Sequence, residues 1–212
     1  TCLPHYRRRK RLVIDLAEFV KNYVPKHDGS STLSIDGTGV KASVHESVAK
    51  RLKEFIIREY PQVRSIVDVG AGQGYLQAAF EPEGFEFLSV EGSSKVGFVA
   101  NKDYRLQEDF SADLPDSLTK RFDLLVSFEC IEHVHQTEQQ NFWSNVKKVS
   151  SRALVGIHAA NEEHAEHCFI RGPEYWNQFF SEQGFQYELL SSYGGWEPVP
   201  EWECSLFYKL QY

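Results

Sequence analysis

After Pro61 the chain alternates short apolar runs with segments of helical spacing. The runs are SIVDV (65–69), FEFLSVE (85–91), DYRLQE (103–108), FDLLVSF (122–128) and RALVGIH (152–158). Such runs predict strands covered on both faces, and their alternation with helices predicts a parallel sheet. Helices are predicted over 136–149 and 173–183, and FQYELLSSY and CSLFYKLQY read as two final strands. Upstream, Leu12, Leu16, Phe19, Val20 and Tyr23 recur at helical spacing within 11–24, as do Val44, Val48, Leu52, Phe55 and Ile56 within 43–60. The polar, glycine-bearing stretch KHDGSSTLSIDGTGVKAS predicts a loop long enough to act as a lid or binding segment. Residues 1–42 therefore read as a helical extension with a candidate lid loop, and 43–212 as one α/β domain.

Composition agrees with a single globular domain: 42% of the residues are hydrophobic and 25% charged over a length of 212. No run reaches the roughly 18 to 20 apolar residues of a membrane helix, and the first residues lack the apolar core of a secretory signal. A cytoplasmic protein with no membrane partner is expected. The four cysteines, Cys2, Cys130, Cys168 and Cys204, form no C-x-x-C pair, which predicts reduced thiols rather than a zinc or redox motif. There is no methionine, so Thr1 reads as a processed or artificial boundary of a longer chain. The net charge of −7 is uneven, since Arg7, Arg8, Arg9, Lys10 and Arg11 precede the first acid. Setting these five aside leaves 18 basic against 30 acidic residues, a balance of −12 that repels polyphosphate. RNA remains a candidate partner only through that basic run.

Chemistry concentrates at strand ends. Val67-Asp68-Val69-Gly70-Ala71-Gly72-Gln73-Gly74-Tyr75-Leu76 is a buried strand running into a glycine-rich turn, where Gly70, Gly72 and Gly74 let the backbone turn tightly beside a ligand. A dinucleotide fingerprint requires its last glycine at position 75, which is Tyr75, so a pyrophosphate cofactor is disfavoured. Glu91 ends the second strand, placed to accept both hydroxyls of a ribose. Glu108-Asp109-Phe110 ends the third, offering an acceptor for an adenine amino group and a ring beside the base.

In this order and spacing, IVDVGAGQGYL, VEGS, EDF and FDLLVSFECIEHV resemble the signature segments of class I S-adenosylmethionine-dependent methyltransferases, over roughly residues 45–212. The resemblance implies a doubly wound, Rossmann-like, seven-stranded sheet, mostly parallel, whose last-added strand is antiparallel. It implies an enzyme with S-adenosylmethionine as cofactor, Asp68, Gly70, Gly72 and Gly74 around the methionine part, Glu91 at the ribose, and Asp109 with Phe110 at the adenine. After the fourth strand, Glu129-Cys130-Ile131-Glu132-His133 is similar to the loop of ubiquinone-pathway O-methyltransferases and of small-RNA 3′-terminal 2′-O-methyltransferases. By that likeness, and by the chemistry of two carboxylates and an imidazole on one turn, Glu129, Glu132 and His133, completed by His167, are candidate ligands of Mg2+ or Mn2+.

The catalytic candidates are His133, Glu129 and His167, with His133 open to two roles, base or metal ligand. Five of the eight histidines, His133, His135, His158, His164 and His167, fall within 35 residues. Tyr175, Trp176, Phe179 and Phe180 are expected mostly in the core, and Trp196 at a loop edge facing a substrate. Because the cofactor's methyl group is already activated, the protein's task is alignment. An oxygen of a small metabolite or sugar is the expected acceptor, with nitrogen needing less help. An RNA ribose, at the 3′ end or at a viral cap, is the alternative, although the fourth-strand loop lacks the lysine base of cap enzymes. A cofactor-binding but catalytically silent module is the third.

Overall fold

The computed structural model describes residues 15–23, 44–93, 96–159, 167–192, 196–200 and 202–212. Strands β1 (Ser65–Val69), β2 (Glu86–Glu91), β3 (Arg105–Gln107), β4 (Leu124–Phe128), β5 (Arg152–His158), β6 (Gln186–Ser192) and β7 (Ser205–Gln211) form one sheet in the order β3-β2-β1-β4-β5-β7-β6. The first five pair in parallel, and β7 enters between β5 and β6, antiparallel to both. The expected seven-stranded sheet with an antiparallel last strand is present. Each predicted strand lies within two residues of an observed one at either end.

Successive strand residues face opposite sides, and each side has its own core. Val67, Val69, Leu88, Val90, Leu125 and Val155 point toward α4 (Gln139–Val149) and α5 (Pro173–Glu182). Ile66, Phe87, Leu124, Val126 and Leu154 point toward α2 (Glu46–Glu59) and α3 (Tyr75–Phe80). Burial on both faces explains why these runs are continuous rather than alternating in hydrophobicity. On the first side Trp143, fully buried, sits edge-on to Trp176, Phe180 and Phe185 at centroid distances of 5.9, 5.0 and 5.8 Å. Phe180 is buried as expected, and Phe179 is partly so.

Helix α1 (Leu16–Asn22) is two turns long, too short to persist without tertiary packing. Asp15 caps it, its Oδ1 accepting from the N–H groups of Ala17 and Glu18 at 3.0 and 3.2 Å. Leu16, Phe19, Val20 and Tyr23 lay it against the same core as α4, so this part of the extension is docked on the domain. The basic run at 7–11, the whole candidate lid loop and His164 lie outside the described residues.

One expectation is overturned. Trp196 does not face outward: it is 6% exposed, and its ring packs against Phe55 at 4.6 Å and Phe207 at 4.4 Å. Its polar, glycine-rich neighbourhood gives no hint of this, because the partners come from α2 and β7. Among the described residues no helix is long and apolar enough to cross a membrane.

Candidate active site

The strand order reverses at β1, whose neighbours β2 and β4 leave in opposite directions, and ligands bind outside the carboxyl ends of strands at such a switch point. Gly70, Gly72 and Gly74 all take left-handed backbone conformations there, with φ of 74°, 53° and 77°. Their surroundings differ. A β-carbon on Gly70 would stand 2.5 Å from the β-carbon of Cys130, and one on Gly74 would stand 2.5 Å from Cζ of Phe98. Protein therefore fills both of those spaces. One on Gly72 would meet nothing within 4 Å, which leaves an open cradle at the centre of the turn.

Glu91 borders that cradle and is 7% exposed. Its Oε2 accepts from the Gly72 N–H and its Oε1 from the Ser93 N–H, each at 2.8 Å. Each carboxylate oxygen keeps a second acceptor direction, enough for two ribose hydroxyls. Asp68, 4% exposed, has its pKa raised to about 8, first by burial and then by the charge of Glu91.

At the end of β3 the three candidates part company. Glu108 is buried, accepting from the Tyr23 hydroxyl at 2.5 Å through Oε2 and from the Asp109 N–H at 3.1 Å through Oε1. Burial, together with the bond to Glu108 and its charge, raises the Tyr23 pKa and keeps that hydroxyl a donor. Asp109 is half buried, and its Oδ1 accepts from the N–H and hydroxyl of Ser111 at 2.9 and 2.7 Å. Phe110 is buried, with its ring centroid 5.3 Å from that of Phe142. The helical spacing of Tyr23 gives no sign of this bond, since its partner is 85 residues away.

The loop after β4 closes the other side. Cys130, packed on Gly70, joins it to the glycine turn, so the two halves share a wall. Burial, with nearby carboxylates, raises the Cys130 pKa, which leaves a neutral thiol and no nucleophile. One ligand atom from each of Glu132, His133 and His167 lies within 4.8 Å of the other two. The His133 and His167 ring centroids are 4.9 Å apart. Glu132 is fully buried, and neither carboxylate oxygen has a hydrogen-bond partner among the described residues. Burial and then the Glu129 charge raise its pKa well above the usual carboxylate range. The backbone N–H groups of Glu132 and His158 offset part of the rise, though neither reaches hydrogen-bond geometry. A buried carboxylate and two imidazoles gathered this closely are donors of the kind that divalent cations accept.

Glu129 stands apart from this trio. It has a left-handed backbone, φ 51°, and its carboxylate contacts Ser205 and His158. His135 is exposed.

A family profile described as a methyltransferase domain matches residues 41–148, about half of the chain. No curated protein sequence matches. Among solved structures, an S-adenosylmethionine-dependent methyltransferase from Archaeoglobus fulgidus superposes with a TM-score of 0.59 at 14% identity, covering 76% of this chain and 93% of that one. The glycopeptide N-methyltransferase MtfA, solved with S-adenosyl-L-homocysteine, gives 0.58 at 15% identity over 79% and 90%. The small RNA methyltransferase HEN1 gives 0.60 at 16% identity, over 82% of this chain and 26% of that one. Likeness at this level of identity concerns the fold.

Proposed function

The chain belongs to the class I S-adenosylmethionine-dependent methyltransferases, and from that premise we propose that it methylates an oxygen of a vicinal diol, the 3′-terminal ribose of an RNA, with help from a divalent cation. The observation that carries this reading is Glu132, a buried carboxylate whose two oxygens have no hydrogen-bond partner among the described residues, beside His133 and His167. A ribose hydroxyl is a weak acid, so an oxygen acceptor needs a group that takes or loosens its proton. Glu132, His133 and His167 would hold Mg2+ or Mn2+, which when bound lowers the pKa of the oxygen it contacts. Gly72 would let the cofactor come close to the protein backbone, Glu91 would orient its ribose, and Asp109 would accept from its adenine. The likeness to HEN1 supports the RNA end as acceptor, as does the basic run, which would supply phosphate contacts that the acidic body lacks.

A small diol or sugar is the second reading, favoured by the net charge of −7 and by likeness to the mitomycin 7-O-methyltransferase MmcR, with a TM-score of 0.56 at 15% identity. Transfer of a tritiated methyl group from S-adenosylmethionine, with Mn2+ present, separates the two. RNA with a 3′-terminal diol is expected to be labelled and the same RNA ending in a 2′-deoxynucleotide is not. Labelling of catechol but of neither RNA would move the acceptor to small molecules.

Two further outcomes follow from the cofactor half. Glu91→Ala is expected to weaken S-adenosylhomocysteine binding by about 1–3 kcal/mol in calorimetry, the worth of its ribose hydrogen bonds. Equal affinity would remove Glu91 from the site. Asp68 gives a pH dependence with opposite signs for stability and binding. Between about pH 4 and 8 the unfolded chain has released this proton and the folded protein retains it. The ligand-free fold therefore loses stability as pH rises through that window. A cationic cofactor prefers the ionised acid, so affinity for S-adenosylmethionine should rise with pH and level off near 8. Titrations from pH 6 to 9 should show proton release that Asp68→Asn removes.

A further inference from the structure

Glu129 contributes no ligand atom to the trio of Glu132, His133 and His167, yet its backbone and carboxylate are both held in place. Its left-handed backbone is uncommon outside glycine and persists only where the surroundings over-determine it. Three contacts do so. The Glu129 N–H donates to the Gly156 carbonyl at 2.9 Å, the Ser205 hydroxyl donates to Glu129 Oε1 at 2.6 Å, and His158 Nδ1 lies 3.4 Å from Oε2. The last two belong to one feature of the sheet: His158 ends β5, Ser205 begins β7, and antiparallel pairing sets them directly opposite each other. Ser205 is 1% exposed, so the bond is shielded from solvent. The His158 ring also packs 4.6 Å from that of His167.

From this arrangement we propose that Ser205 and His158 are positioning residues for the cation site, holding Glu129 beside Glu132 and His167 in its ring orientation. The inference rests on the proposed cation reading and adds two residues that contact no reacting atom. Fixing the Glu129 carboxylate beside that of Glu132 concentrates negative charge that a divalent cation neutralises. Outer partners of metal sites typically change affinity by about 10- to 100-fold when removed.

Mn2+ binding followed by electron paramagnetic resonance tests the proposal, with S-adenosylhomocysteine affinity measured on the same samples. Ser205→Ala and His158→Leu are expected to bind Mn2+ about tenfold or more weakly while keeping the nucleoside. Ser205→Thr and His158→Asn, which restore a donor, should recover most of the loss. A merely structural role would move both ligands together and show no such recovery, and that result, or wild-type Mn2+ affinity in both donor-less variants, overturns the proposal. Should Ser205→Ala fail to fold, the His158 pair decides. A wild type that binds S-adenosylhomocysteine but no Mn2+ overturns the cation reading itself, and this inference with it.

Discussion

His133→Ala is expected to lower turnover by about 10²- to 10⁴-fold, the usual range for a lost proton-transfer group, while S-adenosylhomocysteine affinity stays within about twofold. The separation follows from the layout. Gly72 and Glu91 lie at the ends of β1 and β2, whereas His133 closes a short 3-10 turn, Ile131–His133, after β4. Glu132→Gln should match the loss if the cluster holds a cation, because the amide keeps the shape but removes the charge. EDTA then divides the two roles of His133. If chelation abolishes activity and added Mn2+ restores it, the imidazole is a ligand. If EDTA has no effect while His133→Ala still loses turnover, it is a base. Full turnover by His133→Ala at every pH would leave the histidine a structural residue.

Gly70→Ala is expected to be the most damaging single methyl addition in the glycine turn. The new carbon would stand 2.5 Å from Cβ of Cys130, and the backbone has a φ of 74° that alanine adopts reluctantly. Overpacking of this kind costs about 1–3 kcal/mol and the backbone strain about as much again. Urea unfolding should show a loss of about 2–6 kcal/mol, and binding of S-adenosylhomocysteine should fall with it, since the turn that presents Gly72 must shift. Cys130→Gly in the same chain removes the carbon that is struck, so the double variant should regain the steric part and keep only the strain. A Gly70→Ala protein as stable as the wild type would show that the loop and the glycine turn do not share a wall.

Much of this was legible in the chain because burial on both faces writes strands as unbroken apolar runs. SIVDV and RALVGIH correspond residue for residue to β1 and β5. The glycine turn and Glu91 were legible for the same reason, as interruptions at fixed distances from a strand end. Helix α3 was not, because YLQAAF is too short to display a period. Trp196 was misplaced because local composition describes a loop, while burial depends on Phe55 and Phe207 from elsewhere in the chain. Ser205 carried no signal, and Tyr23 was legible only as a member of a helical stripe, not as a donor to Glu108. Their partners, Glu129 and Glu108, lie 76 and 85 residues away, and only strand register and helix docking bring them together.

The open cradle at Gly72, flanked by Glu91 and Asp68, is expected to bind an S-adenosyl nucleoside rather than a dinucleotide. Calorimetric titration of the wild-type chain with S-adenosylhomocysteine and, separately, with NAD tests it most directly. Saturable binding of S-adenosylhomocysteine at one site per chain, with no heat from NAD, is the predicted result. Binding of NAD in preference to S-adenosylhomocysteine, or of neither, would contradict the account.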